Sequence, residues 1–112
     1  MSHELIVLVT TSTRDEAAAI AEALVSERLC ACVNIIPAIE SVYRWEGKIT
    51  RDNETLLIIK TIDRRYPDLE RRVKELHSYS VPEVIAIRIE RGSEQYLNWL
   101  REACGDSFEP ML

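Results

Sequence analysis

One histidine and one glutamate stand out in this chain as residues that could share a metal ion. His77 is the only histidine away from the N-terminus, and Glu83 follows after a short turn. Imidazole suits Cu²⁺, Zn²⁺ and Ni²⁺, but one such pair needs further ligands, which symmetry in an oligomer could bring to an interface. The alternative is a helix-end histidine whose cation interacts with the C-terminal dipole. We therefore expect at most weak binding of one of these ions, and no organic cofactor.

The extreme N-terminus offers a second and unrelated way to bind copper. With a free amino group, Met1-Ser2-His3 presents an amine, amide nitrogens and an imidazole in the square-planar set that Cu²⁺ favours. Removal of Met1 would spoil that spacing. Copper binding by a purified sample must therefore be separated from this end effect.

A second group of residues combines aromatic rings with charge and suits clefts between subunits. Together a lysine, a glutamate and aromatic rings could hold a small anion or nucleotide. The alternative is that these side chains pack in the core or along a protruding hairpin, with Trp45 anchored in a neighbouring subunit. A phosphate-binding P-loop is excluded, because the chain has only 3 glycines, none in a glycine-rich run. The candidate cleft residues are Tyr43, Trp45, Lys60, Tyr79, Glu83, Tyr96 and Trp99.

Other reactive side chains give little support for catalysis. The chain lacks Ser-His-Asp spacing, HExxH and CxxC, so we expect no enzyme, although an acid–base pair of Glu83 with His77 stays open.

The chain has 3 cysteines, an odd count without an export signal, which predicts reduced thiols in a cytoplasmic protein. Cys30 and Cys32 lie two apart in a predicted strand, with Cβ atoms about 6–7 Å apart, too far for an unstrained disulfide. They fit small core residues, a soft-metal pair being the alternative.

Bulk composition fits one globular domain over residues 1–112. The chain is 46% hydrophobic and 29% charged, enough for one core and too apolar for disorder. A net charge of −5 without a basic block argues against nucleic-acid binding. No stretch resembles a signal peptide or a transmembrane span, so we expect a cytoplasmic protein that does not bind membranes.

Hydrophobic periodicity predicts the order strand, helix, strand, strand, helix, strand, helix. A strand over 5–9 precedes a helix that a capping box of Thr13 and Glu16 begins. The second helix starts at Asp63 or Tyr66 and ends near His77. A strand over 84–90 directs Ile85, Ile87 and Ile89 inward, and the last helix runs from 92–93 to a cap at Gly105. The apolar tail at 106–112 could dock on a neighbour.

The two middle strands are long for a chain of this size. Strands over 30–45 and 49–62 flank the turn Glu46-Gly47-Lys48, and Val33, Ile35, Ile39, Tyr43 and Trp45 alternate onto one side. Each strand could reach roughly 45–50 Å, whereas a compact domain of this length is roughly 35 Å across. The hairpin should therefore overhang as an assembly arm. Pro37 predicts a bulge or an edge position, and Asp52-Asn53 could bend or bulge the partner strand.

This element order predicts an α+β, ferredoxin-like βαββαβ domain with an extra C-terminal helix and a long hairpin arm between the second and third strands. Helices cover one face of a mostly antiparallel sheet. Apolar residues on both sides of 5–9 and 56–59 demand cover for the other face. Since the rest of the chain cannot supply it, we expect other subunits to do so.

Six separate blocks, spread in order along the chain, carry a resemblance to a known family. The blocks are Ala31-Cys32-Val33-Asn34-Ile35-Ile36-Pro37, Ser41-Val42-Tyr43-Arg44-Trp45-Glu46-Gly47-Lys48-Ile49, Leu57-Ile58-Ile59-Lys60-Thr61, Leu76-His77-Ser78-Tyr79, Val81-Pro82-Glu83 and Tyr96-Leu97-Asn98-Trp99-Leu100. Over nearly the whole chain they resemble the CutA family, named for divalent-cation tolerance. The resemblance implies a ferredoxin-like homotrimer, similar to the nitrogen-regulatory PII proteins, with a role in copper tolerance and Cu²⁺ binding. The alternative is a PII-like trimer for a small ligand or a protein partner, with no metal role.

The chain departs from the family pattern at three places near the implied ligands. The family's proposed copper ligands are a cysteine that ends the first strand and a histidine that matches His77. Thr11 stands where that cysteine is expected. Ser78 replaces a proline, and Ser80 replaces an acidic residue that could have been a further ligand.

Overall fold

The computed structural model describes residues 3–105. The order of its elements confirms the predicted alternation of strands and helices. A short 3-10 turn precedes the second helix, so both predicted starting points mark real boundaries. The elements are β1 (Glu4–Thr11), α1 (Arg14–Ser26), β2 (Cys32–Trp45), β3 (Lys48–Ile62), the 3-10 turn (Asp63–Arg65), α2 (Tyr66–Leu76), β4 (Val84–Arg88) and α3 (Glu94–Ala103). The predicted docking of the tail at 106–112 lies outside the described residues.

The strands form one antiparallel sheet in the order β2-β3-β1-β4. This is the predicted α+β, ferredoxin-like arrangement, with two strand–helix–strand halves interleaved. Between the sheet and α1 and α2 lies the main core, where Val7 and Val9 of β1 pack with Leu24 and Leu69. The third helix packs elsewhere, since Leu100 joins a second cluster with Ile62 at one end of the sheet.

Helix ends follow the predicted signals, except that the Glu16 side chain of the capping box bonds to residues outside α1. The Thr13 hydroxyl accepts the backbone N–H of Glu16 at 3.1 Å, which is the expected N-cap bond. The Glu16 carboxylate turns toward Ser78, whose backbone N–H donates to it at 2.6 Å. The first turn of α1 is therefore tied to the segment after α2. At the other end of the chain, Ser93 caps α3 and Gly105 takes the left-handed conformation with φ +77°.

The β2–β3 hairpin overhangs the domain, as predicted. A two-residue turn closes it, with Glu46 at φ 50° and Gly47 at φ 78°. Thr11, the last residue of β1, pairs with Thr55, so residues 48–54 of β3 pair with β2 alone. The long axis of the molecule measures 57 Å against 26 and 21 Å for the other two. We call residues 39–54 the arm.

A bulge interrupts β2 at the predicted proline. Ile36 pairs with Leu56 and Ile39 with Glu54, so β2 carries one extra residue there, and Ala38 takes a φ of 62°. Asp52-Asn53, where the sequence predicted a possible bend or bulge, pairs in regular register, so β3 has no bulge there. The bulge falls at Pro37 because proline cannot donate a backbone hydrogen bond to the neighbouring strand, whereas Asp52 and Asn53 can.

The extra residue changes the side on which the arm's apolar residues lie. Val33 and Ile35 pack against the helix-covered core. Beyond the bulge, Ile39 pairs with Glu54, which shares the opposite face with Leu56 because side chains alternate along β3. The prediction that one side of β2 carries all of these residues is therefore wrong. Instead, Ile39, Tyr43 and Trp45 lie on the side that α1 and α2 do not cover.

The sheet face away from α1 and α2 is rich in branched apolar residues. Ile85 and Ile87 of β4 pair with Leu8 and Ile6 of β1 and share their side of the sheet. They are 50% and 54% exposed, so the prediction that they point into the core is wrong. Alternation shows which residues share a face, but not which face the helices cover. Ile89, beyond the end of β4, does pack inside, against the cluster around Leu100.

The cysteines at 30, 32 and 104 form no disulfide within residues 3–105, in agreement with the predicted reduced thiols. Cys30 precedes β2 and is buried, while Cys32 is the first strand residue and is half-buried. Burial raises the pKa of the Cys30 thiol to about 12, helped by the nearby Cys104 and Cys32. Such a thiol stays protonated, as expected for a small core residue rather than a metal ligand.

Candidate functional site

His77 caps the C-terminus of α2 with its ring buried against β1. Its Nε2 lies 2.7 Å from the carbonyl oxygen of Thr10, and the backbone N–H of Tyr79 donates to its Nδ1 at 3.0 Å. Since Nδ1 accepts a hydrogen bond through its lone pair, Nε2 carries the ring hydrogen and donates a hydrogen bond to the Thr10 carbonyl. Both ring nitrogens are thus engaged by backbone groups. This arrangement resembles the helix-end histidine of the alternative interpretation, but with a neutral ring.

A carboxylate lies beside this histidine. Glu16 Oε2 is 3.5 Å from His77 Nδ1 and accepts the Ser78 N–H. Burial raises the pKa of Glu16, but the hydrogen bonds that it accepts from Ser78 and Ser12 outweigh this effect, so the net shift is downward from the ordinary 4.5. Glu16 is therefore ionised at neutral pH. It was not among the sequence candidates, because its capping-box position explained it fully.

The described residues do not fit a metal site within one chain. His77 has no free lone pair, and the Thr11 hydroxyl, buried at the cysteine position, donates to the carbonyl of Thr13 at 2.8 Å. No group of three or more His, Cys, Asp or Glu side chains within residues 3–105 is arranged to hold a metal ion. Copper binding at His77 and Glu83 therefore stays a prediction.

A cleft of about 670 Å³ lies between the arm and the segment after His77. It brings together four of the predicted cleft residues, Tyr43, Trp45, Tyr79 and Glu83, and adds Glu54 of β3. We call it the arm cleft. Glu54 was not among the sequence candidates. It lies two residues before Leu56 in β3 and therefore shares the side of the sheet that the helices do not cover.

Hydrogen bonds hold the two tyrosines of the arm cleft. The Tyr79 hydroxyl donates to Glu54 at 2.8 Å, and the Tyr43 hydroxyl donates to Asp52. Burial and the bond to Glu54 raise the pKa of Tyr79, and the bond to Asp52 raises the pKa of Tyr43. Both phenols therefore stay protonated and act as donors in any physiological buffer.

The three remaining cleft candidates, Lys60, Tyr96 and Trp99, lie at a different place. Lys60 pairs with Cys32 across the hairpin and donates to the Asn34 side chain. The Tyr96 hydroxyl lies 3.9 Å from Cys32 Sγ, and its ring stacks at 5.4 Å on Trp99. Within one chain the predicted cleft residues therefore form two separate groups, and the group at the arm lines the cavity described above.

Comparison with known proteins covers nearly the whole described chain. The profile of the family "CutA1 divalent ion tolerance protein" matches residues 5–103. The "Divalent-cation tolerance protein CutA" of Thermus thermophilus is 50% identical over 102 residues, 91% of this chain and 99% of that protein. "Protein CutA, chloroplastic" of Arabidopsis thaliana is 48% identical over 99 residues, which are 88% of this chain but only 54% of that protein.

The fold agrees with the sequence comparison. The solved structure of the divalent cation tolerance protein from Thermus thermophilus superimposes with a TM-score of 0.88 at 50% identity. The match covers 89% of this chain and 97% of that chain. Sequence profile, relatives and structure agree with the resemblance drawn from the sequence blocks, and this chain belongs to the CutA1 divalent ion tolerance family.

Proposed function

We propose that this protein acts in the tolerance of divalent cations as a homotrimer, without catalysing a reaction. The functional part rests on family membership, which spans nearly the full length of the Thermus relative. The relatives named above carry no description that favours the PII-like alternative. A non-enzymatic role agrees with His77, the one candidate base, whose two nitrogens are committed to backbone groups.

The uncovered sheet face is the observation that supports assembly. Ile36, Ile85 and Ile87 are 40%, 50% and 54% exposed on that face, although such residues are usually buried. Burying about 1,000 Å² of it would contribute about 25 kcal/mol before the costs of association. α3 packs only at the end of the sheet around Ile62, so the cover must come from outside the described chain.

The arm gives the assembly its second contact. Trp45 and Ile49 at its tip are 60% and 72% exposed, and residues 48–54 gain nothing from β1. A two-stranded ribbon with such a tip is poorly stable alone and gains stability by packing on a neighbour. The threefold symmetry of the proposed assembly comes from the family resemblance.

Copper ligation at His77 and Glu83 would disturb hydrogen bonds that the imidazole ring already makes. A metal at His77 would have to displace the Tyr79 N–H or the Thr10 carbonyl. Each lost hydrogen bond costs about 0.5–1.5 kcal/mol, and further ligands would have to come from a neighbouring subunit. The proposal is therefore weak binding of Cu²⁺ at a subunit interface.

We propose a cytoplasmic location, with no membrane or nucleic-acid partner. None of the helices within residues 3–105 is long and apolar enough to cross a bilayer. The Arabidopsis relative is named a chloroplastic protein. The net charge of −5 supports the absence of a nucleic-acid partner.

Growth under metal stress tests the function directly. Cells that lack their own family member would be supplied with the wild-type chain, with Ile85→Glu, or with an empty vector, and grown over graded Cu²⁺. We expect growth at higher Cu²⁺ with the wild type only, because Ile85→Glu places a charge on the proposed trimer face. Equal growth of the wild type and the empty vector would overturn the proposed function.

A further inference from the structure

We propose that residues 106–112 fold back and dock in an apolar groove between α1 and β2 of their own subunit. The groove lies on the helix side of the sheet, away from the face that the proposed trimer buries. This goes beyond the proposed role in metal tolerance and does not depend on it. The lining of the groove, the position of Gly105 and the residue types of the segment support it.

The groove has a volume of about 460 Å³ and a mostly apolar lining. Val33 and Ile35 pack against the main core but keep part of their surface exposed, because β2 is an edge strand of the described sheet. On the α1 wall, Val25 is 43% exposed, and the small side chains of Ala18 and Ala21 leave room beside it. Covering apolar surface contributes about 25 cal/mol per Å². A few apolar side chains laid in this groove would therefore stabilise the fold.

The described chain ends beside this groove. A Cβ placed on Gly105 would lie 4.0 Å from Cδ of Arg28, two residues after Ser26, where the α1 wall of the groove ends. From Ser26 back to Ala18 that wall is about 12 Å long, at 1.5 Å per residue. Residues 106–112 could span up to about 23 Å when extended. The whole groove is therefore within reach of the segment of its own subunit, and a short tether favours such an intramolecular contact.

The segment has the residue types that suit an apolar groove at the edge of a sheet. In an extended chain Phe108 and Leu112 share one side and Glu109 lies on the other. The two apolar side chains can thus enter the groove while the carboxylate faces water. Pro110 cannot donate a backbone hydrogen bond and is compatible with an extended segment at a sheet edge. The family profile matches only up to residue 103, so the segment lies outside the family pattern.

Charge favours the same path. Arg28 is exposed, and its side chain makes no hydrogen bond or ion pair with any other described residue. Arg65 also lies beside Gly105, with one guanidinium nitrogen 2.7 Å from the same Cβ position. Asp106 therefore follows next to two cationic side chains. Glu22, the charged residue of the lining, lies about 6 Å farther along α1 than the near end of the groove, so the acidic start of the segment meets arginine first.

Hydrogen exchange of the full chain, followed by mass spectrometry, tests the docking. The amides within residues 107–112 should exchange at least tenfold more slowly in the wild type than in a free peptide of the same sequence. Val25→Glu places a charge in the groove and should return them to the rate of the free peptide. Ala19→Glu adds the same charge to an exposed residue of α1 outside the lining and should leave the slow rate unchanged.

Two results of the exchange experiment would contradict the proposal. One is exchange at the free-peptide rate in the wild type, and the other is the same rate in Val25→Glu and Ala19→Glu. Thermal melts of both variants check that the fold is intact.

Cross-linking distinguishes the groove of the same subunit from that of a neighbour. Ser26→Cys and Ser107→Cys, combined in one chain, put one thiol on the groove and one on the segment. After oxidation with diamide, we expect the linked product to run as a single chain on a denaturing gel without reductant. The wild type, treated in the same way, controls for its native cysteines. A linked pair of chains would place the segment on a neighbouring subunit and overturn the proposal.

Discussion

The backbone N–H of Tyr79 donates to Nδ1 of His77 at 3.0 Å, and this bond sets the state of the ring. It requires a lone pair on Nδ1, which leaves Nε2–H for the Thr10 carbonyl at 2.7 Å. One buried side chain thus joins the end of β1 to the segment that carries Tyr79 into the arm cleft.

Removal of this ring should destabilise the fold. His77→Ala leaves a buried carbonyl at Thr10 and the N–H of Tyr79 without their partners. We expect a loss of about 2–4 kcal/mol in the free energy of unfolding. Urea denaturation at fixed protein concentration measures it, with His3→Ala as the control because His3 is exposed. A loss no larger than the control's would show that the two bonds contribute little.

Acid should weaken the fold through Glu16. Its pKa is lowered in the folded chain from the ordinary 4.5, so below about pH 4.5 the unfolded chain binds the proton first. The stabilisation is therefore complete above that pH and is lost as the pH falls through the folded pKa. The free energy of unfolding, measured from pH 7 to 3, should fall more steeply in the wild type than in Glu16→Gln. Parallel curves would contradict this role.

Two substitutions at the arm turn should have opposite effects. Gly47 has a φ of 78° with no atom within 4 Å of an added Cβ, so Gly47→Ala introduces backbone strain and no clash. We expect a cost of about 1–2 kcal/mol. Glu46 has a φ of 50°, which asparagine tolerates better, so Glu46→Asn should stabilise by about 0.5 kcal/mol. Thermal melts compare the two variants, and shifts of the same sign would contradict the positive-φ turn.

Copper affinity should depend on two separate regions. In a competing buffer, His3→Ala should remove binding by the N-terminal set, and any binding that remains should weaken further in a His3→Ala, His77→Ala double variant. Both ring nitrogens are engaged, so we expect the binding at His77 to be weak. If the double variant binds like His3→Ala alone, the predicted site at His77 is wrong.

The sequence predicted the elements well, because hydrophobic periods and caps are local signals. It located the bulge at Pro37 but not its size, and one extra residue moved Tyr43 and Trp45 to the other side of the sheet. It grouped Ile85 with Ile87 correctly, yet alternation alone cannot tell a covered face from an uncovered one.

The arm cleft was predicted only in part, for a similar reason. Tyr43, Trp45, Tyr79 and Glu83 were chosen by residue type, and the fold brings them together. The bond from Tyr79 to Glu54 and the separation of Lys60 depend on how distant segments meet. No periodicity in the sequence reports such contacts.

The mass of the protein in solution tests the central claim of assembly through the uncovered sheet face. Light scattering should give about three times the 12.9 kDa of one chain for the wild type. Ile85→Glu should reduce that mass, whereas Val25→Glu, at a residue 43% exposed on α1, should not. A wild type with the mass of one chain, or an Ile85→Glu variant that keeps the full assembly, would contradict the account.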